Sequence, residues 1–218
     1  MSAKLEVHAI VVAPLMENTY LVADQDTRDC IVVDPGSEPE RILAEIQRLR
    51  LQVALIVNTH GHVDHIGAVA ALAQATGAPY AIHPADVPLT QSAGSGVIAT
   101  SMFPGFQLPP KPDRALADGD TLSAGGLTFT VLETPGHTPG SVCLLGHGIV
   151  LTGDTLFRGS IGRYDLPGGD GQRLMASIRA KLLPLADETV VYSGHGPEST
   201  IGREKRYNPF LREGFRLP

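Results

Sequence analysis

The segment Thr59-His60-Gly61-His62-Val63-Asp64-His65 puts three imidazoles and a carboxylate within six residues, directly after the apolar run 53–57. Neither a core nor a solvated surface is well served by that density. Imidazole suits zinc, iron and nickel, and a carboxylate adds the charge that a second cation needs. One tetrahedral zinc takes about four ligands, so a cluster supplemented from elsewhere in the chain points to two ions.

Three further positions repeat one local design: a strand end, a glycine, then a ligand-type residue. They are Thr134-Pro135-Gly136-His137, Leu151-Thr152-Gly153-Asp154 and Tyr192-Ser193-Gly194-His195. Glycine before the ligand lets the backbone turn sharply and lets neighbours approach closely. Loops at strand ends are where a rigid sheet best presents a site. A single histidine at a strand end is ordinarily a hydrogen-bonded structural residue, but three such positions added to a four-ligand cluster point to one shared metal site. Ser141 and Ser193 lie near these positions, yet neither stands in a nucleophile-elbow sequence. His8, His83 and His147 fall outside the pattern and read as structural or exposed.

Strands and helices must carry these residues to one place. Short Val- and Ile-rich runs predict strands over 5–12, 19–23 and 30–33. Asp34-Pro35-Gly36-Ser37 closes the third, and Ile42, Leu43, Ile46 and Leu49 then recur at helical spacing through Arg50. An apolar strand over 53–57 delivers the histidine cluster onto a loop, and a helix over 67–76 follows. A strand at 79–82 and a short helix over 83–91 lead into residues 93–113, a Pro- and Gly-rich stretch of low periodicity. That stretch reads as a surface excursion and a candidate substrate contact. Strands at 121–122, 127–132, 141–145 and 149–152, a helix over 172–183, a strand at 189–192 and a short basic helix from Thr200 complete the pattern. Two similar strand-rich halves result, which predicts an α/β (α+β) fold with two mixed sheets face to face and helices outside.

At 218 residues the chain suits one sizeable domain, expected to run over 1–218. Its 43% hydrophobic content fits an ordinary globule, and a net charge of −6 without a long run of either sign argues against nucleic acid. The N-terminus shows no signal-peptide core, and no apolar stretch approaches a membrane span. Cys30 and Cys143 both lie in β-like runs and are expected as buried free thiols. The expectation is a cytoplasmic enzyme with a small-molecule substrate and no membrane partner.

His60-Gly61-His62-Val63-Asp64-His65, with His137, Asp154 and His195 at these separations, resembles the metallo-β-lactamase superfamily over nearly the whole chain. The resemblance implies a four-layer αββα sandwich with the metal site at one edge of the sheets. It implies that His60, His62 and His137 bind a first metal, that Asp64, His65 and His195 bind a second, and that Asp154 bridges both. Asp64 and Asp154 would then be the catalytic carboxylates, Asp64 also orienting a hydroxide. Asp154 in the bridging place, rather than Cys, looks like the thioesterase branches, so Cys143 is not promoted to a ligand. The run from Gly153 through Arg163, with Ser193-Gly194-His195-Gly196-Pro197 and Asn208-Pro209-Phe210-Leu211, resembles glyoxalase II-like hydrolases in their short bacterial form. Those enzymes hydrolyse S-lactoylglutathione. Only 23 residues follow His195, where longer glyoxalases II carry a helical domain with glutathione contacts.

The implied chemistry is attack on an acyl carbon by a hydroxide shared between two cations, which lower the pKa of water from about 15.7 toward roughly 7. A thiolate, with a pKa near about 8.5, departs with little help from a general acid. Zinc is the first expectation for both ions, and iron and manganese suit the same ligands. Asp34 at the third strand end is the leading candidate to orient the imidazoles from behind, followed by Thr59 and then Thr155. Arg163 stands where family members place a basic substrate contact and suits a glutathione carboxylate; Arg158, Tyr164, Arg203 and Lys205 are weaker candidates. Two readings compete within the same fold: a persulfide dioxygenase with one iron held by His60, His137 and Asp154, and a lactonase.

Overall fold

The computed structural model describes residues 4–93, 101–103, 105–212 and 214–215. One sheet is built from β1 (Leu5–Val12), β2 (Glu17–Asp24), β3 (Asp29–Val33), β4 (Gln52–Val57), β5 (Tyr80–Ile82) and β6 (Arg114–Ala115), side by side in that order. The other contains β7 (Thr121–Ala124), β8 (Leu127–Glu133), β9 (Val142–Gly146), β10 (Ile149–Gly153), β13 (Val190–Ser193) and β14 (Ser199–Thr200), in the order β14-β13-β10-β9-β8-β7. A separate hairpin joins β11 (Leu156–Phe157) to β12 (Ser160–Ile161).

The alternation of side chains along each strand sorts the core into three layers. Tyr20, Val22, Ile31, Val33, Leu55 and Val57 of the first sheet meet Phe129, Val131, Val142, Leu144 and Leu151 of the second. The intervening residues Leu21, Cys30, Val32 and Ile56 face the other way, onto Ile42, Ile46, Ile66, Val69 and Leu72 of the helices. On the far side Cys143, Val150 and Val191 pack on Leu174, Ile178, Leu182 and Ile201. Strands buried on both faces need apolar residues at every position, which is why β3 and β4 read as continuous hydrophobic runs. The order of layers is helix, sheet, sheet, helix, as expected. Cys30 and Cys143 are buried free thiols in the two outer layers, with both sheets between them.

Strand direction gathers the loops. β3 and β4 run parallel. In the second sheet β8 and β10 are each antiparallel to β9, so they share a direction, and β13 runs parallel to β10. The segments carrying His137, Asp154 and His195 therefore leave one end of the second sheet. Asp34 and the His60–His65 segment leave the first sheet, and the contacts described below show that the two ends meet.

Several expectations change in detail. The cluster does not lie wholly on a loop, because Asp64 and His65 belong to a short helix, Val63–Ile66. The expected helix over 67–76 begins at Val69 (Val69–Thr76). Gly67, between the two helices, packs against the backbone, where a Cβ would lie 2.3 Å from the Gly36 carbonyl oxygen. The helix over 172–183 divides into Gly171–Ser177 and a wider π-helical turn, Ile178–Leu182. β6, β14 and the β11–β12 hairpin are two-residue strands, too short for periodicity to mark. Of the 93–113 stretch, residues 94–100 and 104 lie outside the described residues; Phe103 is buried, and a cavity of about 490 Å³ lies between it, Pro14 and Glu38. None of the metal-ligand candidates lines that cavity.

Candidate metal centre

Two sets of donor atoms form at the shared edge. The candidate donor atoms of His60, His62 and His137 all lie within 4.8 Å of one another, and so do those of Asp64, His65 and His195. Asp154 stands between the sets. Its Oδ2 is 3.5 Å from His137 Nε2 and 3.8 Å from His195 Nε2, while Oδ1 is 3.4 Å from His65 Nε2. His60, His65 and His137 are buried, and His62 and His195 are half-buried, so the centre opens to solvent on their side.

Hydrogen bonds behind the imidazoles decide which nitrogen faces inward. Thr59 Oγ1 donates to Asp34 Oδ2 (2.6 Å) and so accepts from His60 Nδ1, at 3.1 Å. His65 Nδ1 donates to Asp34 Oδ2 at 3.1 Å, and His137 Nδ1 donates to the Arg163 carbonyl at 2.7 Å. In each ring a proton is held at Nδ1, which leaves Nε2 as the atom that a cation would take. His62 presents Nδ1 instead, 2.9 Å from His137 Nε2. Asp34 itself falls within 4.8 Å of His60 and His65 donor atoms. Its oxygens are already occupied by Thr59 N, Thr59 Oγ1, Asn58 Nδ2 and His65 Nδ1, which suits it to orient the rings rather than to ligate. Asp34 adopts a left-handed conformation, φ 50°, which Asp tolerates better than most residues.

The two sets differ in charge. Burial pushes His60 well below the ordinary imidazole value, and burial followed by the charges of His137 and His65 brings His62 down to about 3. These two rings are neutral at pH 7. Burial would also lower His65, but Asp154, Asp64 and Asp34 outweigh it and raise this ring well above its usual value. His195 is raised as well, its burial overcome by the Asp64 hydrogen bond and by Asp154. Burial opposes ionisation of Asp64, yet His65 and His195 hold its carboxyl well below the usual carboxylate range. A cation entering the second set therefore replaces protons, whereas one entering the first meets His60 and His62 rings that are already neutral.

Divalent ions fit this arrangement. His65 Nε2 and Asp154 Oδ1 are buried without a hydrogen-bond partner, and both face the gap between the sets. Such orphaned buried atoms are costly unless a further group satisfies them. Gly194 keeps the gap open, since a Cβ there would lie 2.4 Å from Asp154 Oδ1 and 2.6 Å from His65 Cε1.

The other sequence candidates are distributed as follows. Thr155 turns its hydroxyl to Thr134, at 3.0 Å. Arg163 contributes its backbone carbonyl to His137, but its guanidinium is exposed and doubly bonded to Asp165, at 2.9 Å each. Arg158 is exposed, and Tyr164 packs against the outer core of the second sheet. Arg203 pairs with Glu204 and Lys205 with Asp187, which ties both to the structure of the C-terminal helix Ile201–Tyr207. His8 pairs with Glu6, His83 with Glu133, and His147 accepts from the Thr128 amide, all away from the centre.

Sequence reasoning passed over several supports. Asn18 Nδ2 donates to the carbonyls of Ser193 and Gly196, and Tyr20 Oη to Ser193, so the start of β2 holds the His195 loop. Buried Glu17 approaches His65 Nδ1 at 3.8 Å. Glu204 accepts from Gly159 N and holds the β11–β12 turn. A buried Asp86 bonds the segments of His60 and His137. Of the buried acids only Glu17 carries a faint signal in sequence, because it stands among apolar and turn residues with no basic neighbour; Asp86 and Glu204 carry none.

Residues 12–195 match the family described as the metallo-beta-lactamase superfamily. Hydroxyacylglutathione hydrolase GloC of Haemophilus influenzae is 39% identical over 215 residues, covering 95% of this chain and 98% of GloC. The structure of BLEG-1 B3 metallo-beta-lactamase superposes with a TM-score of 0.86 at 37% identity, over 94% of this chain and 99% of that one. TTHA1623 in a di-iron-bound form superposes with a TM-score of 0.85 at 44% identity, over 94% of this chain and 100% of that one. The described residues hold no helix long and apolar enough to cross a membrane. With its helix–sheet–sheet–helix layers and histidine–aspartate clusters that imply divalent metal ions, the chain belongs to the metallo-β-lactamase superfamily.

Proposed function

We propose that this protein is a metal-dependent thioester hydrolase of the glyoxalase II type, with S-lactoylglutathione as the leading substrate. The observation that carries a two-ion reading is the Asp154 carboxylate, whose oxygens face both donor sets. Similarity to GloC over nearly the full length of both chains supports a glutathione thioester.

His60, His62 and His137 would hold one ion, Asp64, His65 and His195 the other, and Asp154 both. Bound there, two divalent ions supply Lewis acidity and a water that ionises near pH 7, against about 15.7 in bulk. Asp64 Oδ2, 3.3 Å from His195 Nε2 at the half-buried margin, is placed to orient the attacking water. Asp34, Thr59 and the Arg163 carbonyl hold the Nδ1 protons, so that Nε2 of each ring is the atom a cation would take. A thiolate with a pKa near about 8.5 leaves without needing a strong general acid. The chain's own thiols take no part, since burial pushes Cys30 up to about 12 and Cys143 up to about 11. Arg163 is offered as the contact for a glutathione carboxylate, because its exposed pairing with Asp165 exchanges readily for another anion.

The test is thiol release from S-lactoylglutathione by protein reconstituted with zinc, iron or manganese, with metal counted on the same sample. Turnover with two ions per chain is expected. Oxygen uptake on glutathione persulfide with one iron per chain, or preferential opening of a β-lactam or a lactone, overturns the proposal.

A further inference from the structure

The two donor sets are braced by separate polar clamps, and the first clamp centres on a residue outside both sets. Asp86 is fully buried, in the 3₁₀ turn Pro84–Asp86. Its Oδ2 accepts from Gly61 N at 2.8 Å and from Thr138 Oγ1 at 2.7 Å, and its Oδ1 accepts from Gly140 N at 2.7 Å. Gly61 lies between His60 and His62 on the first half of the chain, while Thr138 and Gly140 follow His137 on the second. A single carboxylate thus joins the two segments whose rings must converge.

The surroundings are shaped to this approach. A Cβ at Gly61 would lie 2.9 Å from the Asp86 carbonyl oxygen, and one at Gly140 would lie 2.7 Å from Asp86 Oδ1. Both contacts are closer than ordinary side chains allow, so the glycines at 61 and 140 suit the clamp. Thr138 is further held by Ser141, whose Oγ lies 3.0 Å from Thr138 N. The second donor set has a different brace, Asn18 on the carbonyls of Ser193 and Gly196.

We propose that Asp86 is a positioning residue that sets the affinity of the His60–His62–His137 seat independently of the Asp64–His65–His195 seat. Asp86 reaches the first seat from both sides and has no hydrogen bond to any residue of the second. Loss of the carboxylate frees the Gly61 peptide and the 138–140 turn, spreading the three rings while the Asn18 brace stays intact. The inference rests on the metal-centre reading and does not depend on which bond the enzyme cleaves.

Apoprotein is titrated with cobalt(II), and the paramagnetically shifted, exchangeable imidazole N–H resonances are followed. The Nδ1–H protons of His60 and His137 report the first seat, and that of His65 reports the second. Asp86→Asn is expected to weaken the first seat by about 10–100-fold and leave the second within about threefold, the size typical of groups that orient metal ligands. Thr138→Val removes one of the three bonds and should shift the same seat by less, which carries the test if Asp86→Asn does not fold. Asn18→Ala should show the reverse selectivity. A folded Asp86→Asn or Thr138→Val protein with both seats unchanged, or with both weakened equally, overturns the proposal. Wild-type protein that takes up no cobalt instead overturns the metal-centre reading beneath it.

Discussion

Replacing Asp34 by Asn tests whether hydrogen bonds behind the rings control metal binding. The carboxylate accepts from Thr59 N (2.7 Å) and Asn58 Nδ2 (3.2 Å) on one oxygen, and from Thr59 Oγ1 (2.6 Å) and His65 Nδ1 (3.1 Å) on the other. Donors surround it on both sides, so either orientation of the new amide sets an NH₂ group against two of them. Asn tolerates the left-handed backbone at this position nearly as well as Asp, which keeps conformational strain out of the comparison. A hydrogen bond to a charged group contributes about 1.5–3 kcal/mol, and stranding its donor costs a similar amount. With one of the two sides lost, folding stability should fall by about 2–4 kcal/mol. For a chain of this length that lowers Tm by roughly 5–15 °C. At His65 the consequence is chemical. Without an acceptor at Nδ1, the ring that has given up its extra proton to an entering cation is free to keep the remaining one on Nε2, the atom that faces Asp154, and the second seat should lose about 10–100-fold in affinity. Competition with a chromophoric chelator measures the affinity, and nitrogen-detected NMR of the His65 ring reads the tautomer. Second-seat affinity within about threefold of wild type, with Nδ1 still protonated, refutes the reasoning.

Other outcomes follow from the same geometry. Asp154→Asn should reduce bound metal from about two ions per chain to about one, since a neutral amide cannot serve both donor sets; elemental analysis decides it. Metal loading near pH 7 should release protons mainly from the second seat. His65 and His195 have raised values in the apoprotein, so the release shrinks as pH rises through those values, while metal affinity falls with decreasing pH. Their pairing with Asp64 and Asp154 also stabilises the apoprotein below the unfolded imidazole value near 6.5, and that contribution is lost as pH rises through the raised folded values; thermal melts of apoprotein across pH check the sign. Gly136→Ala should lower Tm by several degrees, because φ is 140° there and a Cβ would lie 2.2 Å from Leu174 N. Arg163→Ala should leave metal content unchanged, since only the backbone carbonyl meets His137, and should raise KM for glutathione thioesters more than for uncharged thioesters.

Residue type and spacing were enough to select the seven ligand candidates, because a metal's needs are stated in chemical identity and every one of those residues carries a distinctive donor. Apolar runs were enough to locate β1 to β5 and β7 to β10 and to imply sheets covered on both faces, since a strand buried on two sides must be hydrophobic throughout. Asp34 was legible for a local reason: it ends a strand one turn of chain before the helix, next to the loop it supports. Asp86, Asn18 and Glu204 were not legible, because each bonds backbone amides or carbonyls far along the chain, and a peptide group leaves no mark in sequence. Arg163 shows the same limit from the other side, as its useful atom toward His137 is its carbonyl oxygen and its side chain turns to Asp165. The sequence determined which side chains are candidates to bind metal. Only the tertiary structure decided which nitrogen of each ring faces inward and which rings carry protons, because both depend on partners brought together by two sheets packing face to face.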